Sequence, residues 1–294
     1  MDLGLNHVVR KWSEAIDPRA NMLISVPGGT DGPSGVLVCS ENYITWVHQG
    51  YSSLRVPIPR RETAFDRIKG EDNSSSKGVI IVSALVHKLV QKEKGRRITI
   101  FFIFVQTEEG DIFKITMDYT RQSDDGPVTT VDALKIKYFD TIPVSSSICL
   151  LKSGFLFSTS EFGNHYLYQI EDLGDLDEEQ VEFSSVDFSQ GDMSQELTAS
   201  FAPARSQKGY ELQNIVEVDE MESLSPLLDA KVLNLTEEDS PQIYAVCGRG
   251  SRSTFRILRH GLEVGEMAVS ELPGNPNAVW TVRTSDKGKL TIKI

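Results

Sequence analysis

Apolar residues in this chain arrive in short runs of four to eight, rich in Val, Ile, Phe and Tyr and closed off by Gly, Pro, Asn, Asp and Ser. Runs of that length and composition read as β-strands. They fall at Met22–Val26, Val36–Cys39, Tyr43–His48, Val79–Leu85, Ile98–Val105, Ile112–Met117, Ala133–Phe139, Ile148–Leu151, Phe155–Ser158, His165–Ile170, Asn214–Val218, Ala230–Leu235, Gln242–Cys247, Thr254–Leu258 and Val279–Val282. A 3.6-residue stripe of helical length appears nowhere, and Phe65–Lys69 amounts to one turn at most. The sequence predicts an all-β chain.

Three of the predicted hairpins share a pattern: an apolar strand, Ser or Thr, Glu, a tight turn and a second strand. They are Val36–Trp46, Phe102–Ile115 and Phe155–Ile170, and a looser fourth copy runs Ile243–Ile257. Gly110-Asp111 and Gly163-Asn164 suit turns that need a positive φ. The four copies begin 66, 53 and 88 residues apart, whereas four-stranded propeller blades recur at about 40–50. The excess is expected in loops, with insertions at Glu71–Lys77, Asp118–Thr130 and Glu171–Gly209. The reading is a partial β-propeller of about four blades, with long acidic loop insertions and without the Trp-Asp or Gly-His blade signature; a decorated β-sandwich is the alternative.

Charge sharpens the picture. The formal net charge is −12, and ten acidic residues between Glu171 and Ser200, unbroken by Lys or Arg, carry most of it. Such a stretch reads as a solvated, flexible insertion or as a docking site for a basic partner. A net-negative chain is poorly built to grip phosphates, so contact with nucleic acid is expected to be indirect. No run of about 18 apolar residues is present, nor a basic and apolar leader at the start. Cys39, Cys149 and Cys247, odd in number and far apart, read as small buried residues in a reducing compartment.

No catalytic constellation emerges. The five histidines keep no metal-ligand spacing with each other or with cysteine. A Gly-x-Ser-x-Gly elbow is absent. The glycine-rich Val26–Gly35 lacks the Gly-Lys-Ser/Thr ending of a phosphate loop and reads as an inter-strand loop. Lys92–Arg97 is a weak basic cluster, read as a solvated loop. Catalytic, cofactor and metal residues are therefore expected to be none. The repeat itself offers a better site, because equivalent turns of successive blades project from one face. Glu41, Glu108 and Glu161 occupy that turn in three copies and Arg249 in the fourth.

Long strings at these hairpins carry a resemblance. They include Leu3–Lys11, Val26–Gly35, Cys39–Thr45, Gly110–Thr116, Ser160-Glu-Phe-Gly-Asn-His-Tyr-Leu-Tyr-Gln-Ile170, Cys247–Gly250, Leu258–Val264 and Glu266–Arg283. Over Asp2–Arg283 the chain resembles the spliceosome-associated branch of a family of triple-propeller scaffolds. Other branches are the large cleavage-and-polyadenylation specificity subunit and the damaged-DNA-binding scaffold. The resemblance implies that 1–283 is part of a first, seven-bladed propeller with 171–209 as its acidic insertion, while 284–294 departs from the pattern. It implies a nuclear, non-enzymatic scaffold of splicing factor 3b in the U2 small nuclear ribonucleoprotein. That scaffold would support branch-site recognition, touching pre-mRNA and U2 RNA only indirectly. Implied partners are the small subunit 5, the HEAT-repeat subunit 1 and the PHD-finger-like subunit. Gly78, Glu108, Glu161 and Arg249 are the positions carried over for the subunit 5 contact, with Asp2–Arg19 as a further interface stretch. A sister scaffold of 3′-end processing or ubiquitin-ligase assembly is the alternative.

Overall fold

The computed structural model describes residues 12–61, 78–93, 96–122, 126, 128–174, 181–188, 199–203, 205–206, 209–235, 241–259, 261, 280–283 and 290–293. The cluster Phe65–Lys69, the insertion Glu71–Lys77, residues 2–11 and most of 284–294 lie outside them. The chain divides into two compact units, one built on 1–228 with 247–254 and one on 229–246 with 255–294.

The first unit holds three antiparallel blades. Blade 1 is the meander β1 (Ala20–Ser25), β2 (Val36–Ser40), β3 (Tyr43–Val47) and β4 (Leu54–Pro57). A two-residue strand, β5 (Arg60–Arg61), follows it. Blade 2 is β6 (Ile81–Glu93), β7 (Arg96–Thr107), β8 (Asp111–Arg121) and β9 (Val128–Thr141). Blade 3 begins with β10 (Ser147–Leu150), β11 (Phe155–Thr159) and β12 (His165–Ile170). The acidic stretch then intervenes, with β13 (Glu182–Ser184) and β14 (Ser200–Phe201), followed by β15 (Arg205–Ser206) and β16 (Gly209–Tyr210). Blade 3 closes with β17 (Ile215–Met221). The first strands β1, β6 and β10 lie side by side, as the inner strands of neighbouring propeller blades do.

Beyond these come a three-stranded sheet, β18 (Leu227–Leu233), β19 (Gln242–Cys247) and β20 (Thr254–Leu258), and the pair β21 (Trp280–Arg283) and β22 (Leu290–Lys293). The sequence missed β4 and β22, and with them the short strands β5, β13, β14, β15 and β16. In β4, Arg55 and Pro57 interrupt the apolar run that would announce a strand. Lys92–Glu93 and Arg96–Arg97, expected in a loop, are paired strand.

Why blade 2 is central can be read along β7. Its residues are apolar without interruption from Ile100 to Val105, the pattern of a strand covered on both faces. Phe101, Ile103 and Val105 join Leu37, Trp46 and Phe113 in the core between blades 1 and 2. Phe102 and Phe104 face the other way, into a core with Phe139 of β9 and Ile148 and Leu156 of blade 3. Phe104 packs against the tilted rings of Phe102 and Phe139 at 4.9 and 4.5 Å, and each buried ring of this kind contributes roughly 3–5 kcal/mol against truncation to Ala.

Blade 2 also forks. β7 pairs with β8 only over Ile103–Gln106, while β6–β7 continues to Glu93–Arg96 and β8–β9 to Arg121–Val128. The glycine-rich loop of blade 1 sits in the fork. Lys88 Nζ reaches Asp31 at 2.8 Å, and Arg121 Nη1 donates to the Gly29 carbonyl. Gly32 lies so close to the Phe101 ring that a Cβ would approach it to 2.8 Å. Close packing accounts for Gly32, and a positive φ for Gly29 and Gly35.

Cys39 and Cys247 are buried as expected, and burial pushes the Cys39 thiol up to about 12. Cys149 is exposed, contrary to expectation, because alternation along β10 turns it away from the core that buries Ile148.

Two expectations test this packing. Gly110 has φ +93, and a Cβ there would overlap the Ile142 carbonyl. Gly110→Ala should lower stability by about 2–3 kcal/mol in urea titration. The second concerns Asp140, which is fully buried and accepts the backbone N–H groups of Gln213, Asn214 and Ile215. Burial raises its carboxyl above the ordinary range, against the opposing pull of those bonds. A carboxyl raised in the fold stabilises fully below its unfolded value and loses that contribution as pH rises through the folded one. Relative to Asp140→Asn, the parent should therefore lose stability as pH rises above about 4, the ordinary carboxylate value; parallel pH curves for the two would refute this.

Candidate protein-interaction rim

The turn between the second and third strands recurs in all three blades, and its chemistry differs each time. In blade 1 it is the two-residue turn Glu41-Asn42, with Asn42 at φ +75, a conformation asparagine tolerates. In blade 2 it is Glu108-Glu109-Gly110, closed by Gly110 N–H on the Thr107 carbonyl at 3.0 Å. In blade 3 it is the wider Ser160–Asn164, where His165 Nδ1 accepts the Ser160 N–H at 3.2 Å. Positive φ was expected at Gly110 and Gly163. It occurs at Gly110 only, because the longer third turn reverses without it. The sheet β18–β20 has its second-to-third connection at Gly248–Ser253, where Arg249 is exposed beside a single 3-10 turn, Gly250–Arg252. Glu41, Glu108, Glu161 and Arg249 thus hold one topological position.

A polar tie unforeseen in the sequence spaces the first three turns. Each turn region offers a side-chain amide oxygen to the segment that leaves its blade. Asn42 Oδ1 accepts from Val79 N–H at 2.9 Å, Gln106 Oε1 from Ser145 N–H at 2.9 Å and Asn164 Oδ1 from Ser223 N–H at 3.2 Å. The same segments reach the next turn: Glu108 N–H donates to the Ile80 carbonyl and Ser146 N–H to the Thr159 carbonyl. Glu41, Glu108 and Glu161 consequently share one rim. Gly78 stands at the start of the first tie, where a Cβ would overlap the Glu41 side chain. A side chain at that position would require the Glu41 side chain to move aside.

Around the rim the carboxylates differ in their commitments. Glu41 is engaged by Arg19 at 3.2 Å, and Asp17, beside Arg19, accepts the Tyr43 hydroxyl. Glu109 lies 3.9 Å from Arg61, which binds Asp111 at 2.5 Å. Burial pushes the Asp111 carboxyl up, while Arg61 and Thr141 hold it down. Glu108 is half-buried. Glu161 is exposed and makes no ion pair among the described residues. It borders a cleft of about 530 Å³ between the third turn and the segment entering blade 3, with Val82, Val144, Ser145, Phe162 and Tyr166. Phe162 is 54% exposed and Val144 43%. An apolar pocket edged by one uncommitted carboxylate can take an apolar side chain with a cation beside it.

Among the described residues, no three His, Cys, Asp or Glu side chains converge to hold a metal. A recess of about 340 Å³ between β1, β6 and β10 is lined by apolar and hydroxyl side chains such as Leu23, Ser25, Val86 and Ser147.

Comparison with known proteins agrees with this architecture. The family model for the RSE1/DDB1/CPSF1 first beta-propeller matches residues 1–222. Pre-mRNA-splicing factor rse1 of Neurospora crassa is 52% identical over 283 residues, covering 96% of this chain and 22% of that protein. Splicing factor 3B subunit 3 of Danio rerio is 52% identical over 284 residues, 96% of this chain and 21% of that one. Spliceosome-associated protein 130 A of Arabidopsis thaliana gives 52% over 283 residues, with 96% and 21% covered. The chain therefore spans about a fifth of the length of the curated relatives it matches. With three meandering blades ranked by their inner strands, a shared rim of turns and a match across most of its length, the chain belongs to the RSE1/DDB1/CPSF1 first-propeller family.

Proposed function

We propose that this chain is a non-enzymatic, nuclear protein-interaction segment of a pre-mRNA splicing scaffold. Its rim of turns would receive the small subunit 5 within splicing factor 3b, and the HEAT-repeat subunit 1 and the PHD-finger-like subunit would be further partners. Pre-mRNA and U2 RNA are reached through those proteins, consistent with a net charge of −12. The splicing names of the relatives support the assembly. The single observation that carries the contact surface is the cleft at Glu161, exposed and apolar-edged, on the same rim as Glu108.

Once a partner excludes water, charges at such turns fix register, and removing one side of a buried pair costs about 2–5 kcal/mol. Glu108, Glu161 and Arg249 replaced together by Ala in the full-length protein should weaken capture of subunit 5 at least tenfold in quantitative pull-down. Undiminished capture refutes the contact. Glu161 and Phe162 are exposed, so Glu161→Ala and Phe162→Ala should each leave the stability of the chain within about 0.5 kcal/mol. A larger loss in thermal melts would make them fold residues instead.

A further inference from the structure

The acidic stretch was expected to be solvated, yet its described parts are built into the first unit at three places. Where it leaves blade 3, two lysines of blade 2 hold its backbone: Lys114 Nζ donates to the Leu173 carbonyl at 3.0 Å and Lys137 Nζ to the Gly174 carbonyl at 2.7 Å. It next adds a strand to the outer edge of blade 2, β13 pairing antiparallel with β9 from Glu182–Lys137 to Ser184–Lys135. Leu134 N–H donates to Ser185 Oγ at 3.0 Å, and Ser185 N–H returns a bond to the Leu134 carbonyl at 2.8 Å. Lys135 bridges Glu182 at 3.4 Å and Asp118 at 2.8 Å.

Further along, β14 lies parallel to β5, with Arg60 N–H on the Ala199 carbonyl at 2.9 Å. That pairing sets Phe201 into the core between blades 1 and 2. Its ring stacks on Tyr138 at 4.7 Å, meets Phe113 edge-on at 5.2 Å and is 6% exposed. The chain then returns to blade 3. Asp140 receives the N–H groups of Gln213, Asn214 and Ile215, and the Asn214 carbonyl accepts from Glu171 and Asp172. Both ends of the insertion are thus pinned together where the start of β17 in blade 3 meets Asp140 of blade 2, while its middle is held on blades 1 and 2.

From this path we propose that the acidic insertion is an interblade strap. It fastens blade 3 to the junction of blades 1 and 2, with Phe201 as the plug that completes their shared core. Among its described residues the strap is held by two short pairings, the rings of Phe183 and Phe201 and a few lysine and serine contacts, whereas each blade is held by a full ladder. It can therefore open while the blades persist. Opening would uncover the Phe113–Tyr138 slot and the lysines of β9.

Amide hydrogen exchange on the whole chain, read by mass spectrometry, tests this. In Phe201→Ala, exchange in peptides covering Leu54–Arg61 and Val128–Thr141 should rise at least tenfold, with Ser147–Thr159 unchanged. Phe201→Leu, a milder truncation that keeps the chain folded, should show the same regional pattern at about threefold. Unaltered exchange at Leu54–Arg61 in both variants would overturn the proposal. So would a uniform rise across all three blades, because it would mean general loosening instead of a released fastener.

Discussion

The burial of β7 on both faces is the constraint on which the first unit depends. A single strand supplies Phe101, Ile103 and Val105 to one core and Phe102 and Phe104 to the other. Period-two geometry allows no other outcome for an unbroken apolar run in a sheet. A blade with such a strand cannot be stable with one face wet, so blades 1 and 3 are required on either side of it. The propeller arrangement follows from that requirement as much as from the ladders within each blade.

Polar ties then convert packed sheets into an ordered rim. Blades packed only by apolar contact could slide along one another by a residue. The amide oxygens of Asn42, Gln106 and Asn164 prevent this, since each is matched to one backbone N–H of the departing segment. A slipped register would leave those groups unpaired in part-buried surroundings, at about 1–3 kcal/mol each. Turn positions far apart in sequence are thereby brought to one edge, which is the geometry a protein partner needs.

Much of this was legible in the residues. Short β-branched and aromatic runs gave every strand of the three blades except β4, and the repeated Ser/Thr-Glu turns gave the blade repeat and the common position of Glu41, Glu108, Glu161 and Arg249. What could not be read was set by partners distant in the chain. Gly78 lies against the Glu41 side chain, and the fork in blade 2 holds a loop from blade 1. Phe162 and Val144 gave no signal because an exposed apolar residue in a turn has no periodicity to betray it. The acidic stretch misled because its charge dominates composition, while Phe183 and Phe201, spaced irregularly within it, decide where it lies. Composition reports the average environment of a segment, and a strap is defined by its exceptions.

The outer edge of blade 3 shows how an open sheet is kept from recruiting strangers. β17 pairs with β12, and its sequence Ile-Val-Glu-Val-Asp-Glu-Met places three carboxylates along it. Like charge repels a second strand of the same kind.

The fork in blade 2 carries a consequence for how such a protein can vary over evolutionary time. Beyond the point where β8 departs, the backbones of β6 and β7 pair only with each other among the described strands. Residues can be gained or lost there in cross-strand pairs, two at a time on each arm, without turning any core side chain to the wrong face. The arm is thus a place where lineages are free to differ in length while the blade beneath it stays the same.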